Sequence, residues 1–282
     1  MSDIPVLINL SLPLIPSNLN LVKVPNLIEV NAKTNTFGKI QVNDNEWYLS
    51  HDPVNDFWWV NPRPEPKFYE ILYTKLFYSS PISEQFGYAS LEIDGTRRTE
   101  KAKKNWSDIY EHISIKNKGR LFEIGCGSGE FLLEAKNQGW HYVEGNELEL
   151  QSAKLAIDKG LNIDTGFFEN YQLNKKPLFD MLFADNVIEH TMNPILFLEK
   201  CNQILTKNGL LVLRLPDTQS FGPTLKLIDH TYHFTRKSIE LFLNKAGFGN
   251  TIIFYSGTYK GSKFEMDPKQ RIENMTVISH KI

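Results

Sequence analysis

The chain has 282 residues, of which 41% are hydrophobic and 23% are charged, and its formal net charge is −2. This balance gives no general attraction to nucleic acid or to an anionic membrane, and the chain has no apolar run of the roughly 18 residues that a spanning helix needs. The two cysteines, Cys126 and Cys201, have no metal-type spacing, so we expect a cytoplasmic protein without disulfide bonds.

The first third of the chain reads as short strands followed by helices. Two β-like runs around the turn residues 43–45 predict a hairpin, and closely spaced prolines then predict a stiff, extended connection. The spacing of apolar residues predicts helices over 68–77 and 99–115. We therefore expect a β-rich extension over residues 1–66 and a helical cover over residues 67–118, with the cover lying across the ligand end of the next domain.

From residue 119 to residue 282, β-like and helical patterns alternate. Such alternation predicts an α/β fold with a doubly wound, mostly parallel sheet, whose ligands bind beyond the carboxyl ends of the strands. The predicted strands lie near 121–125, 141–146, 161–165, 179–184 and 210–215, and two further β-like runs lie at 251–255 and 275–280. The predicted helices lie near 129–137, 150–159, 194–205 and 235–246.

A glycine loop follows the first of these strands. Glycines at 125, 127 and 129 allow a sharp turn and close approach of a ligand, and the helix that follows presents unpaired N–H groups to a carboxylate. Glu123 is the one acidic residue in the apolar strand before the loop. Glu147 ends the next strand pattern, roughly 20 residues past the loop, where an acidic residue is placed to hold ribose hydroxyls.

Two kinds of nucleotide cofactor compete for this loop. The dinucleotide fingerprint needs glycine at position 130, where Glu130 stands, and acidic residues on both sides of the loop disfavour an anionic pyrophosphate. A cofactor with a cationic amino-acid end and a ribose fits better. At these residues the chain resembles the class I S-adenosylmethionine-dependent methyltransferases, whose loop reads E/D-x-G-x-G-x-G.

The resemblance implies S-adenosylmethionine as the cofactor and a Rossmann-like sheet of seven strands that ends in a reversed hairpin. It implies that Glu123 acts on the methionine ammonium and that Glu147 holds the ribose. Many relatives carry an adenine-binding Asp after the third strand, where this chain has Phe167 and Phe168. One of these rings stacks on adenine, or both are ordinary core aromatics. The loop residues expected to line the methionine part are Gly125, Cys126, Gly127, Ser128 and Gly129.

The segment 179–194 resembles the F-D-x-I…E-H-x-x-x-P stretch of methyltransferases related to the ubiquinone-biosynthesis O-methyltransferases. That resemblance implies that Asp185 and Asn186 face the sulfonium and the substrate, and that Glu189 and His190 begin the next helix. In some relatives an E-x-x-E-H segment binds a divalent metal. Here Asn186 replaces the first Glu, so we expect no metal site.

The segment 229–235 resembles the D-H-x-x-x-F-T/S stretch of the same enzymes and implies that His230 and His233 lie over the acceptor. A histidine near neutral pKa can accept a hydroxyl proton, so His233 is the first candidate base, His190 the second and His230 a third; the alternative for each is a structural role. The cover adds residues that suit a polar, acidic small molecule. These are Tyr73, Tyr78, Tyr88 and the Arg97–Arg98 pair.

A further resemblance lies upstream, where residues 57–64 match a segment found ahead of this domain in sugar and small-molecule methyltransferases. Those relatives often carry a zinc-binding cysteine cluster, and this chain has no cysteine before Cys126. The expected function is O- or C-methylation of a small-molecule acceptor such as a sugar, a quinone precursor or another metabolite, without a nucleic-acid or membrane partner. The alternatives are a catalytically silent cofactor-binding protein and, third, an NAD-dependent oxidoreductase. The sequence does not define the oligomeric state.

Overall fold

A computed structural model of the protein describes residues 4, 6–11, 18–24, 27, 35–73, 95–172, 177–218, 229–255, 258–260, 263–265 and 274–282. Its strands are β1 (Val6–Leu10), β2 (Leu21–Val22), β3 (Asn35–Val42), β4 (Asn45–Asp52), β5 (Phe57–Val60), β6 (Arg63–Pro64), β7 (Arg120–Ile124), β8 (Tyr142–Glu147), β9 (Asn162–Thr165), β10 (Phe179–Asp185), β11 (Leu205–Pro216), β12 (Tyr232–His233), β13 (Phe248–Tyr255), β14 (Thr258–Lys260), β15 (Lys263–Glu265) and β16 (Asn274–Lys281). The helices in these ranges are α1 (Pro66–Ile71), α2 (Gly95–His112), α3 (Glu130–Asn137), α4 (Leu150–Asp158), α5 (Pro194–Ile204) and α6 (Arg236–Lys245).

The central sheet has seven strands in the order β13-β16-β11-β10-β7-β8-β9. Neighbouring strands from β11 to β9 pair in parallel, and β16 runs antiparallel between β11 and β13. The central strands β7 and β10 are almost entirely buried, as continuous apolar runs in a parallel sheet should be, because helices cover both faces. The predicted doubly wound α/β fold and its reversed terminal hairpin are confirmed.

A second sheet has the order β1-β3-β4-β5-β12, and so combines the N-terminal strands with a short strand from far along the chain. Tyr232 pairs with Trp59, and His233 pairs with Trp58. Phe57 packs against Tyr232 and Phe242 at ring-centroid distances of 5.8 and 4.9 Å. The N-terminal strands therefore share a hydrophobic core with the methyltransferase-like part, while the domain boundaries at residues 66 and 118 stay a prediction.

The cover helix α2 starts four residues before its predicted start and ends at His112. Trp106 packs α2 on α3, since its ring stacks on that of Phe131 at 4.6 Å. The helix predicted over 68–77 begins earlier, as α1 spans Pro66–Ile71, and residues 74–77 of the prediction lie outside the described residues. Within the described ranges, no helix combines the length and apolar character needed to cross a membrane.

Candidate active site

The glycine loop joins β7 to α3 and takes a left-handed backbone at all three glycines, with φ of 66° at Gly125, 54° at Gly127 and 84° at Gly129. Residues with a Cβ rarely adopt this conformation, which explains why glycine occurs at every second position. The N–H of Cys126 donates to the carbonyl oxygen of Asn146 at 2.9 Å, which ties the loop to the end of β8.

Two adjoining cavities lie against this loop, with volumes of about 330 and 170 Å³. Both are lined by Lys101, Gly125, Gly127 and Asp185. Among the predicted site residues, the larger cavity adds Glu147, Phe167, Phe168, Asn186 and His190. The smaller one adds Glu123, Cys126 and Ser128. The structure thus gathers most of the predicted site residues, from the ends of separate strands, around one divided cleft.

Glu147 connects the loop to the larger cavity. Its Oε2 accepts a hydrogen bond from the N–H of Gly127 at 2.7 Å, and its Oε1 accepts one from the N–H of Glu149 at 2.8 Å. Burial raises the pKa of the Glu147 carboxyl, against the opposing effect of these backbone donors. These two hydrogen bonds therefore hold the carboxylate in a fixed place at the end of β8.

Glu123 lies at the smaller cavity with only 5% of the residue exposed. Its Oε2 has no hydrogen-bond partner within the described part of the chain. Burial, together with the negative charge of Asp185, holds the pKa of the Glu123 carboxyl well above its usual range. A cationic group bound in this cavity would stabilise the ionised form, so Glu123 is suited to receive an ammonium.

Asp185 stands where the two cavities meet and is held by two cations. Its Oδ2 lies 2.6 Å from Lys101 Nζ, and its Oδ1 lies 2.9 Å from Arg214 Nη1. Burial acts to raise the pKa of Asp185, but the charges of Lys101 and Arg214 outweigh it and lower the pKa to about 2. The side-chain amide of Asn186 also donates to Oδ1 at 2.9 Å. A charged, oriented carboxylate therefore faces both cavities.

Arg98 lies beside the glycine loop and not at the expected acceptor site. We expected the Arg97–Arg98 pair at the acceptor, but Arg98 Nη1 donates to Ser128 Oγ of the glycine loop at 2.7 Å and lines the smaller cavity. The earlier start of α2 brings this residue onto a regular helix above the loop. Of the tyrosines expected beside it, Tyr73 lines the larger cavity, and Tyr78 and Tyr88 lie outside the described residues.

The two aromatic residues after β9 have different environments. Phe168 is buried between Phe122 and Phe197, at ring-centroid distances of 6.0 and 5.3 Å, and belongs to the core. Phe167 is half-buried and lines the larger cavity. Of the two, Phe167 therefore has the more accessible ring for stacking on a planar ligand.

The three predicted histidines come together beside the larger cavity. The rings of His190 and His230 lie 4.6 Å apart, and those of His230 and His233 lie 6.0 Å apart. His190 lines the larger cavity, whereas His230 and His233 are buried and line neither cavity. Burial lowers the pKa of His233 to about 3, so this ring is neutral. The structure therefore favours His190 over His233 as the histidine that meets an acceptor.

Glu189 and His190 do not begin a helix, which corrects the expectation from the sequence. They lie in a single 3-10 turn, Ile188–His190, and α5 begins only at Pro194. Asn193 caps α5 by accepting hydrogen bonds from the N–H groups of Ile195 and Leu196. A good cap followed by proline sets the helix start at this point, so the turn before it is free to present His190 to the cavity.

The sequence predicts no metal ion here, and the histidine cluster contains the groups that could bind one. Glu189, His190 and His230 each bring a nitrogen or carboxylate oxygen within 4.8 Å of one another. Burial acts to lower the pKa of His190, but Asp229 and Glu189 outweigh it and raise the pKa to about 9. Metal ligation needs a neutral imidazole, so a metal ion would have to displace the proton that these two carboxylates favour on His190. That no metal is needed stays a prediction.

With the geometry established, comparison with known proteins places the chain. A family model described as a methyltransferase domain matches residues 98–251, more than half of the chain. The chain belongs to this methyltransferase family. The match begins at Arg98 and includes the glycine loop and the histidine cluster, while strands β1–β6 lie outside it. The cofactor of these methyltransferases is S-adenosylmethionine, as the loop predicted.

Curated relatives share parts of this domain. A tRNA U34 carboxymethyltransferase of Colwellia psychrerythraea is 31% identical over 165 residues, which cover 51% of this chain and 49% of the relative. A ubiquinone biosynthesis O-methyltransferase of Bradyrhizobium diazoefficiens is 31% identical over 97 residues, which cover 33% of this chain and 38% of the relative. The chain thus spans about half or less of these two relatives, and they act on different kinds of acceptor.

Solved methyltransferase structures share the fold. A Thermotoga maritima S-adenosylmethionine-dependent methyltransferase, described as a possible histamine N-methyltransferase, superposes with a TM-score of 0.52 at 22% identity and covers 66% of this chain and 91% of its own. The plantazolicin methyltransferase BamL, solved with S-adenosylhomocysteine, gives 0.54 at 13% identity, with coverages of 71% and 89%. These likenesses confirm the Rossmann-like architecture of the methyltransferase part.

Proposed function

We propose that this protein transfers the methyl group of S-adenosylmethionine to a hydroxyl group of a small, polar acceptor. The observation that carries the proposal is the divided cleft. Its smaller part presents groups for a zwitterionic amino acid, and its larger part runs from a ribose-binding carboxylate to His190. Transfer is an in-line displacement at the sulfonium, and holding the two reactants aligned contributes up to roughly 7–11 kcal/mol.

The residues around the loop match the parts of the cofactor. In this proposal Arg98 binds the methionine carboxylate, because guanidinium pairs well with carboxylate, and the partnerless oxygen of Glu123 accepts from the ammonium. Glu147 holds the ribose hydroxyls at the end of β8, and the accessible ring of Phe167 stacks on adenine. Asp185 keeps a negative charge near the sulfonium.

The acceptor enters the part of the larger cavity that Tyr73, His190 and Thr191 line. His190 is the proposed group that takes the hydroxyl proton as the new oxygen–methyl bond forms, and a base at this position contributes about a hundredfold or more. When the acceptor hydroxyl is acidic, its proton moves to His190 before the methyl transfer. The acceptor oxygen is then negatively charged beside a cationic imidazole and is a stronger nucleophile than a hydroxyl oxygen. Positioning and proton transfer together account for the reaction.

Two measurements test the proposal. Calorimetric titration with S-adenosylmethionine, S-adenosylhomocysteine and NAD should give micromolar affinity for the first two and no measurable heat for NAD. Release of S-adenosylhomocysteine is then followed with a panel of phenols, carboxylic acids, sugars and unmodified tRNA. Tight cofactor binding without turnover on any of them would support a silent binding protein, and turnover on tRNA alone would overturn the small-molecule acceptor.

The ribose assignment predicts that Glu147→Ala weakens S-adenosylhomocysteine binding by about 1.5–3 kcal/mol, the contribution of hydrogen bonds to a charged group. Glu147→Gln separates the lost charge from the lost volume. Glu134→Ala on α3 is the matched control, since Glu134 lines neither cavity and bonds to Gln138 on its own helix. Unchanged calorimetric affinity in a folded Glu147→Ala variant would remove this residue from the site.

The carboxylate assignment predicts a ligand-dependent effect of Arg98→Ala. Affinity for S-adenosylhomocysteine should fall about tenfold or more, while affinity for methylthioadenosine, which has no carboxylate, should hardly change. Arg97→Ala tests the neighbouring arginine, which lines neither cavity. An equal loss for both ligands would show that Arg98 acts on the loop structure and not on the carboxylate.

Chelation tests the absence of a metal requirement. Turnover should be unchanged after treatment with EDTA and gel filtration, because Asn186 stands where the metal-binding segment E-x-x-E-H has its first Glu. The measurement is S-adenosylhomocysteine release before and after chelation. A loss that Mg²⁺ or Zn²⁺ restores would contradict this expectation.

A further inference from the structure

Asp229 has no role in the site described so far, yet it contacts the residue that meets the acceptor. It is 1% exposed, and its Oδ2 lies 3.2 Å from Nδ1 of His190. The same Oδ2 accepts a hydrogen bond from the hydroxyl of Tyr73 at 3.1 Å. The carbonyl oxygen of Asp229 lies 3.3 Å from the same ring nitrogen of His190. Two oxygens of one residue therefore converge on one side of the imidazole.

The charge of Asp229 determines which ring nitrogen carries a proton. Burial acts to raise the pKa of Asp229, but the positive charge of His190 outweighs it and lowers the pKa to about 2. An ionised carboxylate only accepts hydrogen bonds, and so does a carbonyl oxygen. Nδ1 of His190 must then be the donor, and in the neutral ring Nε2 is left as the acceptor.

We propose that Asp229 is a positioning residue that holds His190 through Nδ1 and leaves Nε2 to receive the proton of the acceptor hydroxyl. This inference rests on the proposed methyl transfer. The acceptor O–H bond breaks and its proton passes to Nε2. The oxygen–methyl bond forms as the sulfur–methyl bond breaks, and S-adenosylhomocysteine departs. The proton then leaves His190 for solvent and the neutral ring is restored; because the pKa of His190 is raised to about 9, this neutral form becomes more populated as pH rises towards 9.

Tyr73 gives this arrangement a second support. Its hydroxyl bonds to the carboxylate, and its ring meets that of His190 edge-on at 5.9 Å. Tyr73 lies just after α1, so the segment that follows the N-terminal sheet contributes to the orientation of His190. Tyr73, which precedes the rest of the helical cover, thereby holds the Asp229 carboxylate, while the 3-10 turn Ile188–His190 positions the histidine.

The other charged and titratable groups around His190 do not take over this role. Glu189 places Oε1 3.9 Å from Nε2, but this residue is fully buried, whereas the His190 side chain is 16% exposed and lines the cavity. Burial, together with the positive charge of His190, lowers the pKa of both His230 and His233. His190 is therefore the member of the cluster with access to an incoming acceptor, and Asp229 is its ionised partner.

The experiment uses the full chain bound to S-adenosylhomocysteine, after chelation, and detects the protons on histidine ring nitrogens by NMR. His190→Gln assigns the signals. In the unmodified protein at about pH 7, Nδ1 of His190 should carry a slowly exchanging proton that is hydrogen-bonded to carboxylate. Asp229→Asn should remove this signature, and Tyr73→Phe should shift it. Asp52→Asn is the control, since Asp52 is equally buried but caps a turn in the N-terminal sheet.

Turnover provides the second readout, with the phenol or carboxylic acid that reacts fastest in the panel as the probe. Asp229→Asn should lower kcat about tenfold to hundredfold with KM for S-adenosylmethionine within a factor of a few, and Asp229→Glu should restore part of kcat. A bare Nδ1 in the unmodified protein overturns the inference, even if Asp229→Asn fails to fold. So does an unchanged kcat in a folded Asp229→Asn variant. If no acceptor reacts, the proposed function fails, while the NMR spectrum still decides the role of Asp229.

Discussion

Gly127→Val is expected to abolish binding of S-adenosylhomocysteine. A Cβ at this position would meet no heavy atom within 4 Å, so the valine side chain would extend into the open space that both cavities share. The left-handed backbone, with φ of 54°, adds a strain of about 1–2 kcal/mol. That strain is small beside the stability of a domain, so the fold should survive. Calorimetric titration measures the loss, and circular dichroism checks the fold.

Gly139→Val is the matched control for this variant. Gly139 also has a left-handed backbone, with φ of 90°, and open space around its missing Cβ, but it lies after α3 and lines neither cavity. The control should be destabilised to a similar extent and keep its affinity. Binding that persists in Gly127→Val would refute the assignment of the loop to the cofactor.

His190→Ala is expected to lower kcat about a hundredfold or more while the affinity for S-adenosylhomocysteine stays within a factor of a few. His190 is the histidine that lines the larger cavity, and Asp229 supplies the charge that makes its ring a strong base. The measurement combines steady-state turnover with calorimetry on the same protein preparation.

Two further histidines sharpen this test. His280→Ala on β16 is the control, since its ring nitrogen bonds the carbonyl oxygen of Asn208 at the opposite end of the sheet strands from the glycine loop. His233→Ala tests the first candidate that the sequence suggested. Full loss of turnover in His233→Ala with normal turnover in His190→Ala would reverse the assignment made from the cavity lining. Loss of cofactor affinity in His190→Ala would make this residue part of the cofactor pocket.

The sheet could be predicted from the sequence because its signals are local. The central strands β7 and β10 are short, mainly apolar runs, and strand patterns alternate with helical patterns along the chain, so the order of the elements in the sequence follows directly. The placing of Glu123, Glu147 and Asp185 followed from the same logic, because strand ends meet at one edge of the sheet. The site residues that could be located from the sequence are therefore those whose positions follow from local strand patterns.

What the sequence could not define depends on contacts between distant segments. Strand β12 is two residues long and is defined by its antiparallel pairing with β5, which lies far away in the sequence. Arg98 reaches Ser128 through the packing of α2 on the loop, and Asp229 reaches His190 across a 39-residue separation. The exposure of His190 and the burial of His233 likewise follow from tertiary packing, and neither residue type nor spacing distinguishes them.

The shared sheet has a practical consequence for dividing the chain. A fragment that starts where the family match starts, at residue 98, would lack β5 and leave the β12 edge unpaired beside the exposed rings of Tyr232 and Phe242. Open strand edges next to apolar surface promote self-association. The N-terminal strands therefore cover a strand edge and an apolar surface of the histidine segment, and a fragment for recombinant production should include β5.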